Sequence, residues 1–349
     1  MTLPTLPQSD LLAAIGIGSN SVRLLIASVQ DKPGAGVHVQ ALQRFEQVTR
    51  LAQYEHEHEH EHEATHAGPA LGVEAGAQPQ PWPQVVRLSS QAIHDTLSAA
   101  RSFARRSKEA GAALVGVLAT EAVRAASNRA YLTEALERTV GVPVRVISGE
   151  EEAALGWLAI SSDHRHSGLR LGVIDIGGGS TDLSVGEARS DKPTTSTSIK
   201  VGSRTLMRRF GLDHAVGPAQ MQAVMAALLM EVGLPALSMR PRPQVGVVIG
   251  GTAEVLDHLR ARGNLETPPS ESVPITRTWL AEWAGHLSGA ELKERVALGV
   301  PPDRADVISA GAAILLAVLD TWGLRQCYVS HRNILDGFLI RMSRTSTGP

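Results

Sequence analysis

The chain has 349 residues, enough for two domains of ordinary size that each bury a hydrophobic core. Its formal net charge is −2 and aromatic residues make up 3% of it, so we expect neither a basic field that attracts polyanions nor an aromatic platform for single-stranded nucleic acid. The single cysteine, Cys327, excludes an internal disulfide and suits a reducing compartment. Residues 1–8 lack a secretory signal pattern and the uncharged stretch 307–319 is too short to span a bilayer. We therefore predict a cytoplasmic protein that binds neither nucleic acid nor membrane.

Strand and helix patterns alternate in the first half of the chain, which is typical of an α/β fold. The spacing of apolar residues predicts, in order, strands at 11–17, 22–29 and 37–44, a helix from Ser89 to Gly111, a strand at 114–119, a helix at 127–140, a strand at 142–147, and a helix that Ser148 caps and that runs to Ile160.

One segment of the first half breaks this alternation. Residues 52–84 contain a strict alternation of glutamate and histidine followed by Gly, Ala, Pro and Gln. The segment has too few apolar residues to pack, so we predict a mobile insertion. Its histidines can bind transition metals weakly, although a solvated low-complexity loop is the simpler interpretation.

The second half is predicted to contain further strands and a larger number of helices. Its Ser/Thr-rich segment at 190–199 predicts a loop. The regular elements are predicted as strands at 171–176, 180–185, 245–249 and 327–330 and helices at 218–232, 252–262, 276–288, 289–298, 305–322 and 333–343.

The chain is organised around the stretch 171–183, in which an apolar strand runs into three glycines, Gly177–Gly179. Glycine adopts φ > 0 readily and lets backbone N–H groups approach an anion. Asp175 lies inside the apolar run, where an ionised carboxylate is costly unless it meets a cation or donors. Hydroxyls and a second carboxylate follow at Ser180, Thr181 and Asp182. This pattern is typical of a phosphate and metal cradle, and an ordinary glycine-rich hairpin is the alternative.

The same plan of strand, glycine-hydroxyl turn and strand occurs twice more. Residues 14–26 contain a turn at Gly18–Ser21, and a strand at 245–249 runs into Gly250–Thr252. Three such turns, spread over both halves of the chain, indicate duplicated domains whose hairpins grip phosphates from opposite sides of a cleft. This is the plan of the actin/Hsp70/sugar-kinase architecture.

The ordered set of these segments resembles the exopolyphosphatase/guanosine pentaphosphate phosphatase (Ppx/GppA) family in a short, two-domain form. The resemblance runs from about Ala14 to Ile340. It implies an α/β fold with two ribonuclease-H-like domains, residues 1–150 and 151–349, that face a cleft, with C-terminal helices closing back on the first domain. The matching segments are 18–23, 119–128, 147–153, 173–182, 250–252 and 304–311.

The chemistry of phosphoanhydride hydrolysis assigns roles to these residues. The resemblance makes Glu152 the base that positions and deprotonates water, whereas Glu150 and Glu151 fit a helix N-terminus enriched in acids. Arg124 is the candidate clamp for equatorial oxygens, with an exposed helix arginine as the alternative. Asp175, assisted by Asp182, is the expected ligand of Mg²⁺. The predicted phosphate-binding residues are Gly18, Ser19, Asn20, Ser21, Gly177, Gly178, Gly179, Ser180, Thr181 and Arg204.

Three motifs depart from the family pattern. Gly16 stands where the first motif carries aspartate, which removes a carboxylate from the metal side of the cleft. Asp182 replaces the usual glutamate. The terminal pattern Ser-Asp-x-Gly-Leu-Arg-Glu-Gly becomes 330–337 here and loses its first acid, its first glycine and its arginine. These losses predict reduced or altered activity.

The resemblance therefore implies a Mg²⁺-dependent hydrolase that releases terminal phosphate from inorganic polyphosphate or guanosine pentaphosphate. A binding protein that keeps the cleft without efficient turnover is the alternative, and Gly16 is its main support. A kinase that uses ATP as donor is a third reading, which Glu152 disfavours. A homodimer that forms through the second domain is a further expectation.

Overall fold

The computed structural model describes residues 11–32, 36–52, 54–55, 86–262 and 273–346. Most of the predicted mobile insertion at 52–84, with its histidines, lies outside the described residues. Within the part that is described, residues 54–55 pair antiparallel with residues 87–88 in a two-stranded sheet.

The first half contains the elements of one sheet and its covering helices. In chain order these are β1 (Leu11–Ile17), β2 (Ser21–Lys32), β3 (Gly36–Val48), β4 (Tyr54–Glu55), β5 (Arg87–Leu88), α1 (Ser90–Glu109), β6 (Ala113–Ala119), α2 (Glu121–Ala125), α3 (Arg129–Val140), β7 (Val144–Val146) and α4 (Gly149–Ser161).

The second half contains a larger sheet and more helices. In chain order these are β8 (Arg170–Ile176), β9 (Thr181–Glu187), β10 (Thr195–Ile199), α5 (Ser203–Phe210), α6 (Pro218–Leu228), α7 (Leu234–Ser238), β11 (Val245–Ile249), α8 (Gly251–Arg262), β12 (Ile275–Thr276), α9 (Arg277–Ser288), α10 (Leu292–Ala297), α11 (Ile308–Trp322), β13 (Gln326–Val329) and α12 (Ile334–Ser346).

Both large sheets repeat one strand order. The first runs β3-β2-β1-β6-β7 and the second runs β10-β9-β8-β11-β13, with β12 added at the edge. In each sheet the first three strands form an antiparallel meander, and the next two are parallel to the first strand. This order is that of a ribonuclease-H-like domain, so the predicted fold class, α/β with two such domains facing a cleft, is confirmed. The boundary predicted at residue 150 stays a prediction.

Strand β1 reads as a continuous apolar run because both of its faces are covered. Ala13, Ile15 and Ile17 pack towards α1 and α3. Leu12 and Ala14 pack on the opposite face, together with side chains of α4 and α12. The period-2 alternation of a strand thus sends every β1 side chain into a core.

Helix α4 belongs to the cores of both sheets. Leu155 and Leu158 pack with the first sheet, whereas Trp157 and Ile160 pack with β8 and β11 of the second. A helix that is apolar nearly all round is one that is buried on all sides. The first turn of α4 is therefore held rigidly at the junction of the two sheets, and it carries Glu152.

Two sequence predictions, one in each half of the chain, need correction. The segment at 190–199 is not entirely loop, because residues 195–199 form β10 and pair antiparallel with β9. Serine and threonine on an edge strand read as loop in sequence, although threonine fits a pleated surface well. The helix predicted at 127–140 begins at Arg129 and is preceded by the short α2.

One helical stretch of the described chain, Pro218–Ser238, is long and apolar enough to cross a membrane by length and composition alone. It covers α6, a π-helical turn and α7. Core helices pass the same test, so the feature is weak evidence, and the predicted absence of a membrane partner stays a prediction.

Candidate active site

Two glycine-hydroxyl turns occupy equivalent places in the two sheets. The first phosphate loop, Gly18–Ser21, joins β1 to β2, and the second phosphate loop, Gly177–Ser180, joins β8 to β9. Each loop is closed by a bond from its first N–H to its fourth carbonyl, 2.9 Å long in both cases. The N–H groups of Gly178 and Gly179 donate to no other group in the described part of the chain, so they remain available to an anion.

The two loops touch each other across the cleft. A Cβ placed on Gly178 would lie 2.9 Å from Cβ of Ser19, and one on Gly179 would lie 2.7 Å from Cγ of Glu121. Real Cβ atoms do not approach so closely, so glycine is required at both positions for the close approach of the loops. The sequence therefore places glycine where the two halves of the site meet.

The space between the loops is a narrow cleft of about 110 Å³. Ten of the predicted site residues line it: Gly18, Ser19, Asn20, Ser21, Glu152, Asp175, Gly177, Gly178, Gly179 and Ser180. Drug-sized ligand pockets measure roughly 300–1,000 Å³, so in this arrangement the cleft has room for a small group rather than for a whole ligand of that size.

Glu152 stands apart from its two acidic neighbours. The hydroxyl of Ser148 accepts a hydrogen bond from Glu151 N, 3.1 Å away, and so caps α4. Glu150 is exposed, and Glu151 pairs with Arg145 and with Arg341. Glu152 instead turns into the cleft, where its Oε2 is buried and accepts no hydrogen bond from any described residue.

Burial raises the pKa of Glu152 well above its ordinary 4.5, and the negative charges of Asp182 and Asp175 raise it further. Arg124 opposes this shift from 3.8 Å away. A buried carboxylate without a donor is costly. Such a group gains from a water molecule or cation beside it, which is the environment of a general base.

Asp175 and Asp182 face each other directly across the β8–β9 hairpin. Burial raises the pKa of Asp175 to about 6, against the lowering effect of Arg23. Burial raises the pKa of Asp182 to about 7; a hydrogen bond from Ser198 lowers it and the charge of Asp175 raises it. Only Asp175 lines the cleft, and Asp182 lies behind it.

This pair fits a hard divalent cation, although it does not form a complete cage. No three His, Cys, Asp or Glu side chains among the described residues are close enough to hold a metal ion by themselves. Magnesium characteristically binds through one or two carboxylates plus substrate oxygens and water. Paired buried carboxylates with raised pKa values, beside the Glu152 oxygen that accepts no hydrogen bond from a described residue, are compatible with such an ion.

Arg124 lies at the edge of this group and does not line the cleft. Its Nη1 donates to Ile147 O at 2.6 Å, and its Nη2 donates to Glu121. In the structure its partners are therefore protein groups, and it orients the acids beside the cleft. The role of Arg124 as an oxygen clamp stays a prediction.

Two other predicted phosphate-binding residues also lie outside the cleft lining. Thr181 is fully buried and donates to Val201 O at 2.6 Å. Arg204 is buried as well and donates to Oδ1 of Asn20. Both side chains brace the phosphate loops from behind.

The cations that do line the cleft were not singled out from the sequence. Arg23 and Arg304 both line it, and both lie inside segments that carry the family resemblance. They take part in ion pairs across the cleft: Arg304 with Glu46, and Arg23 with Glu254 at 3.3 Å. Burial and the positive charge of Arg23 together lower the pKa of Arg304 to about 9.

Two departures from the family pattern meet in space. A Cβ on Gly16 would lie 3.2 Å from Cδ2 of Leu335. Leu335, at the start of α12, lines the cleft and stands where the terminal pattern has arginine. The family pattern has a carboxylate at position 16 and a guanidinium at position 335, and both are absent here. An apolar contact between Gly16 and Leu335 replaces them at this side of the cleft.

Comparisons with known proteins agree with this geometry. The sequence model of the Ppx/GppA phosphatase family matches residues 35–346. A guanosine-5'-triphosphate,3'-diphosphate pyrophosphatase of Vibrio vulnificus is 27% identical over 89% of this chain and 55% of its own length. The corresponding Vibrio parahaemolyticus protein is 28% identical over 96% of this chain and 59% of its own. The chain thus spans less than two thirds of the length of these relatives.

Solved structures show the same fold. The Ppx/GppA family member of Aquifex aeolicus superposes with a TM-score of 0.71 at 23% identity, over 97% of this chain and 99% of its own. An exopolyphosphatase of Cytophaga hutchinsonii superposes with a TM-score of 0.78 at 19% identity, over 97% and 100%. At these identities the structures establish the fold alone.

Proposed function

The chain belongs to the Ppx/GppA phosphatase family, and we propose that it is a hydrolase that releases terminal phosphate from inorganic polyphosphate or guanosine pentaphosphate. The relatives named above act on guanosine pentaphosphate or polyphosphate according to their names. A cytoplasmic location is part of the proposal, because the single cysteine suits a reducing compartment.

One observation carries the proposal. Glu152 places a buried carboxylate oxygen that accepts no hydrogen bond from any described residue in the same narrow cleft as the two phosphate loops. Hydrolysis of a phosphoanhydride needs an anion cradle, neutralisation of the transferring charge and a base that orients water. The cleft contains a group suited to each of these tasks.

Several residues of the cleft have a role in the proposed hydrolysis. The N–H groups of Gly178 and Gly179 hold the terminal phosphate, and Arg304 neutralises its oxygens. Glu152 accepts a proton from the attacking water. Mg²⁺ held by Asp175, with Asp182 behind it, would neutralise developing charge on the phosphoryl oxygens. Narrowness of the cleft excludes bulk water from the reacting bond.

A binding function without efficient turnover is the second candidate. The contact between Gly16 and Leu335 favours it, because the spot offers neither a carboxylate to the metal nor a guanidinium to the substrate. The same loops and arginines would then bind the phosphates and leave them intact.

Phosphate release from polyphosphate and from guanosine pentaphosphate tests the proposal. We expect Glu152→Gln to lower the rate by about 10²–10⁴-fold, the typical worth of a general base. Glu150→Gln is the matched control, because Glu150 is an exposed acid in the same helical turn. No release by the native chain, with tight substrate binding, would favour the binding function instead.

A further inference from the structure

A second, larger cavity lies behind the first phosphate loop. Its volume is about 730 Å³, and it opens between α5, α10 and the segment around residue 50. None of the groups assigned above to the chemical step lines it. Its charged lining residues are four cations and two acids: Arg50, Arg204, Arg208, Lys293, Asp213 and Asp306. The lining is thus net positive, in a chain whose net charge is −2.

The innermost cation of this cavity has an unsatisfied donor. Arg204 is 2% exposed, and its Nη1 lies 3.3 Å from Asp306. Its Nε is buried and has no acceptor among the described residues, and Asp306 Oδ1 is buried without a donor. Unmade hydrogen bonds of buried charged groups are costly. A phosphate group offers an acceptor to a donor such as Nε, and a protonated phosphate oxygen offers a donor to an acceptor such as Asp306 Oδ1.

The cavity is connected to the cleft through Asn20. The side chain of Arg204 donates to Oδ1 of Asn20, and the backbone N–H of Arg50 donates to its carbonyl at 2.8 Å. Two residues that line the cavity therefore hold both oxygens of Asn20, which lines the cleft: Arg204 through its guanidinium and Arg50 through its backbone amide. A ligand that binds the guanidinium of Arg204 competes with its hydrogen bond to Asn20 and changes how firmly Asn20 is held.

We propose that this cavity binds a phosphate-type anion and that the anion acts on the first phosphate loop through Asn20. The ligand class is inorganic phosphate or a short condensed phosphate. The inference goes beyond the proposed hydrolysis, and its test measures binding without turnover.

The test is calorimetric titration of the full chain with imidodiphosphate, whose P–N–P bridge replaces the phosphoanhydride, in a chelator. Arg304→Gln is the background variant, because it removes a cation of the cleft and leaves the second cavity intact. We expect one equivalent to bind in the second cavity of this variant, whereas binding in the cleft is weakened by the lost cation and by the absence of divalent cations. Adding Lys293→Glu should weaken that binding at least about tenfold, since a charge-assisted hydrogen bond is lost and a repulsion is added. Adding Lys108→Glu, an exposed lysine outside both cavities, should leave it unchanged.

Hydrogen exchange tests the connection to the loop. The amides of Thr49 and Arg50 donate to Asn20 O, so imidodiphosphate should slow their exchange in Arg304→Gln and not in the double variant with Lys293→Glu. Absence of binding in Arg304→Gln, or binding that Lys293→Glu leaves unchanged, overturns the site. Binding without any change in these amides overturns its action on the loop. Neither result bears on hydrolysis in the native chain, so failure here is distinct from failure of the proposed function.

Discussion

The two phosphate hairpins, β1–β2 and β8–β9, have the same backbone conformation but carry side chains of opposite charge. In the first, Gly16 faces Arg23 across the strand pair; in the second, Asp175 faces Asp182 at the same distance from the turn. Both turns close with the same 2.9 Å hydrogen bond. The two hairpins thus have the same turn, whereas the cross-strand pair beside the turn supplies a cation in the first hairpin and two carboxylates in the second. The first side suits phosphate oxygens and the second suits a metal ion.

Removing the carboxylate of the second hairpin should have the largest effect. We expect Asp175→Asn to lower the rate of phosphate release at least about 100-fold, because loss of metal charge stabilisation costs several kcal/mol. The measurement is the rate with saturating polyphosphate and Mg²⁺. Full activity in this variant would show that the division of charge between the hairpins is irrelevant to turnover.

The same substitution should stabilise the fold at alkaline pH in the absence of divalent cations. The pKa of Asp175 is raised from 3.8 to about 6 in the folded chain. Folded protein therefore holds a proton that the unfolded chain has lost, and its stability falls as pH rises from about 4 through about 6. The pKa of Asp175 differs by about 2 between the folded and unfolded states. At about 1.36 kcal/mol per pKa unit, this difference lowers the free energy of unfolding by about 3 kcal/mol.

Urea unfolding of Asp175→Asn beside the native chain measures this effect. The difference in free energy of unfolding between the two proteins should be constant below pH 4. Between pH 4 and pH 8 it should change in favour of the variant. A variant that is less stable by a constant amount at every pH would contradict the linkage and assign Asp175 a purely structural role.

Removing a cation that lines the cleft should have an intermediate effect. We expect Arg304→Gln to raise KM about tenfold or more, since a charge-assisted hydrogen bond contributes roughly 1.5–3 kcal/mol. Arg277→Gln is the control, because Arg277 pairs with Asp320 on the exposed surface, where ion pairs contribute little. An equal KM for both variants would remove Arg304 from substrate binding.

Restoring symmetry between the hairpins should have the smallest effect. Gly16→Asp needs space, so we combine it with Leu335→Ala, which removes the side chain that would lie 3.2 Å away. We expect the Mg²⁺ concentration at half-maximal rate to fall by several-fold, and at most about tenfold, relative to Leu335→Ala alone. An unchanged or higher Mg²⁺ requirement would mean that position 16 does not reach the metal.

The local parts of the site could be read from sequence. Glycine, hydroxyl and strand signals lie next to each other in the chain, so both phosphate loops were predicted correctly as turns between strands. Glu152 came from the family resemblance, and the structure distinguishes it from Glu150 by burial. The fold class followed from alternating elements and the repeated turn.

The remaining parts depend on contacts that sequence spacing does not contain. Arg304 meets Glu46 over a separation of 258 residues, and nothing local marks it as a cleft cation. Thr181 pairs with Ile176, one position along from the Asp175 pair, so strand alternation sends its hydroxyl to the opposite face. The contact between Gly16 and Leu335 likewise exists only because α12 packs on the first sheet.

The pH dependence of kcat/KM, for the native chain beside Glu152→Gln, tests the central claim most directly. A base with a raised pKa works only when it is deprotonated, so the native rate should rise with pH through a value well above the ordinary 4.5 of glutamate. The variant should lose most of its rate, and the rate that remains should no longer rise with pH through this value. A variant that keeps both the rate and its rise with pH would show that another group activates the water.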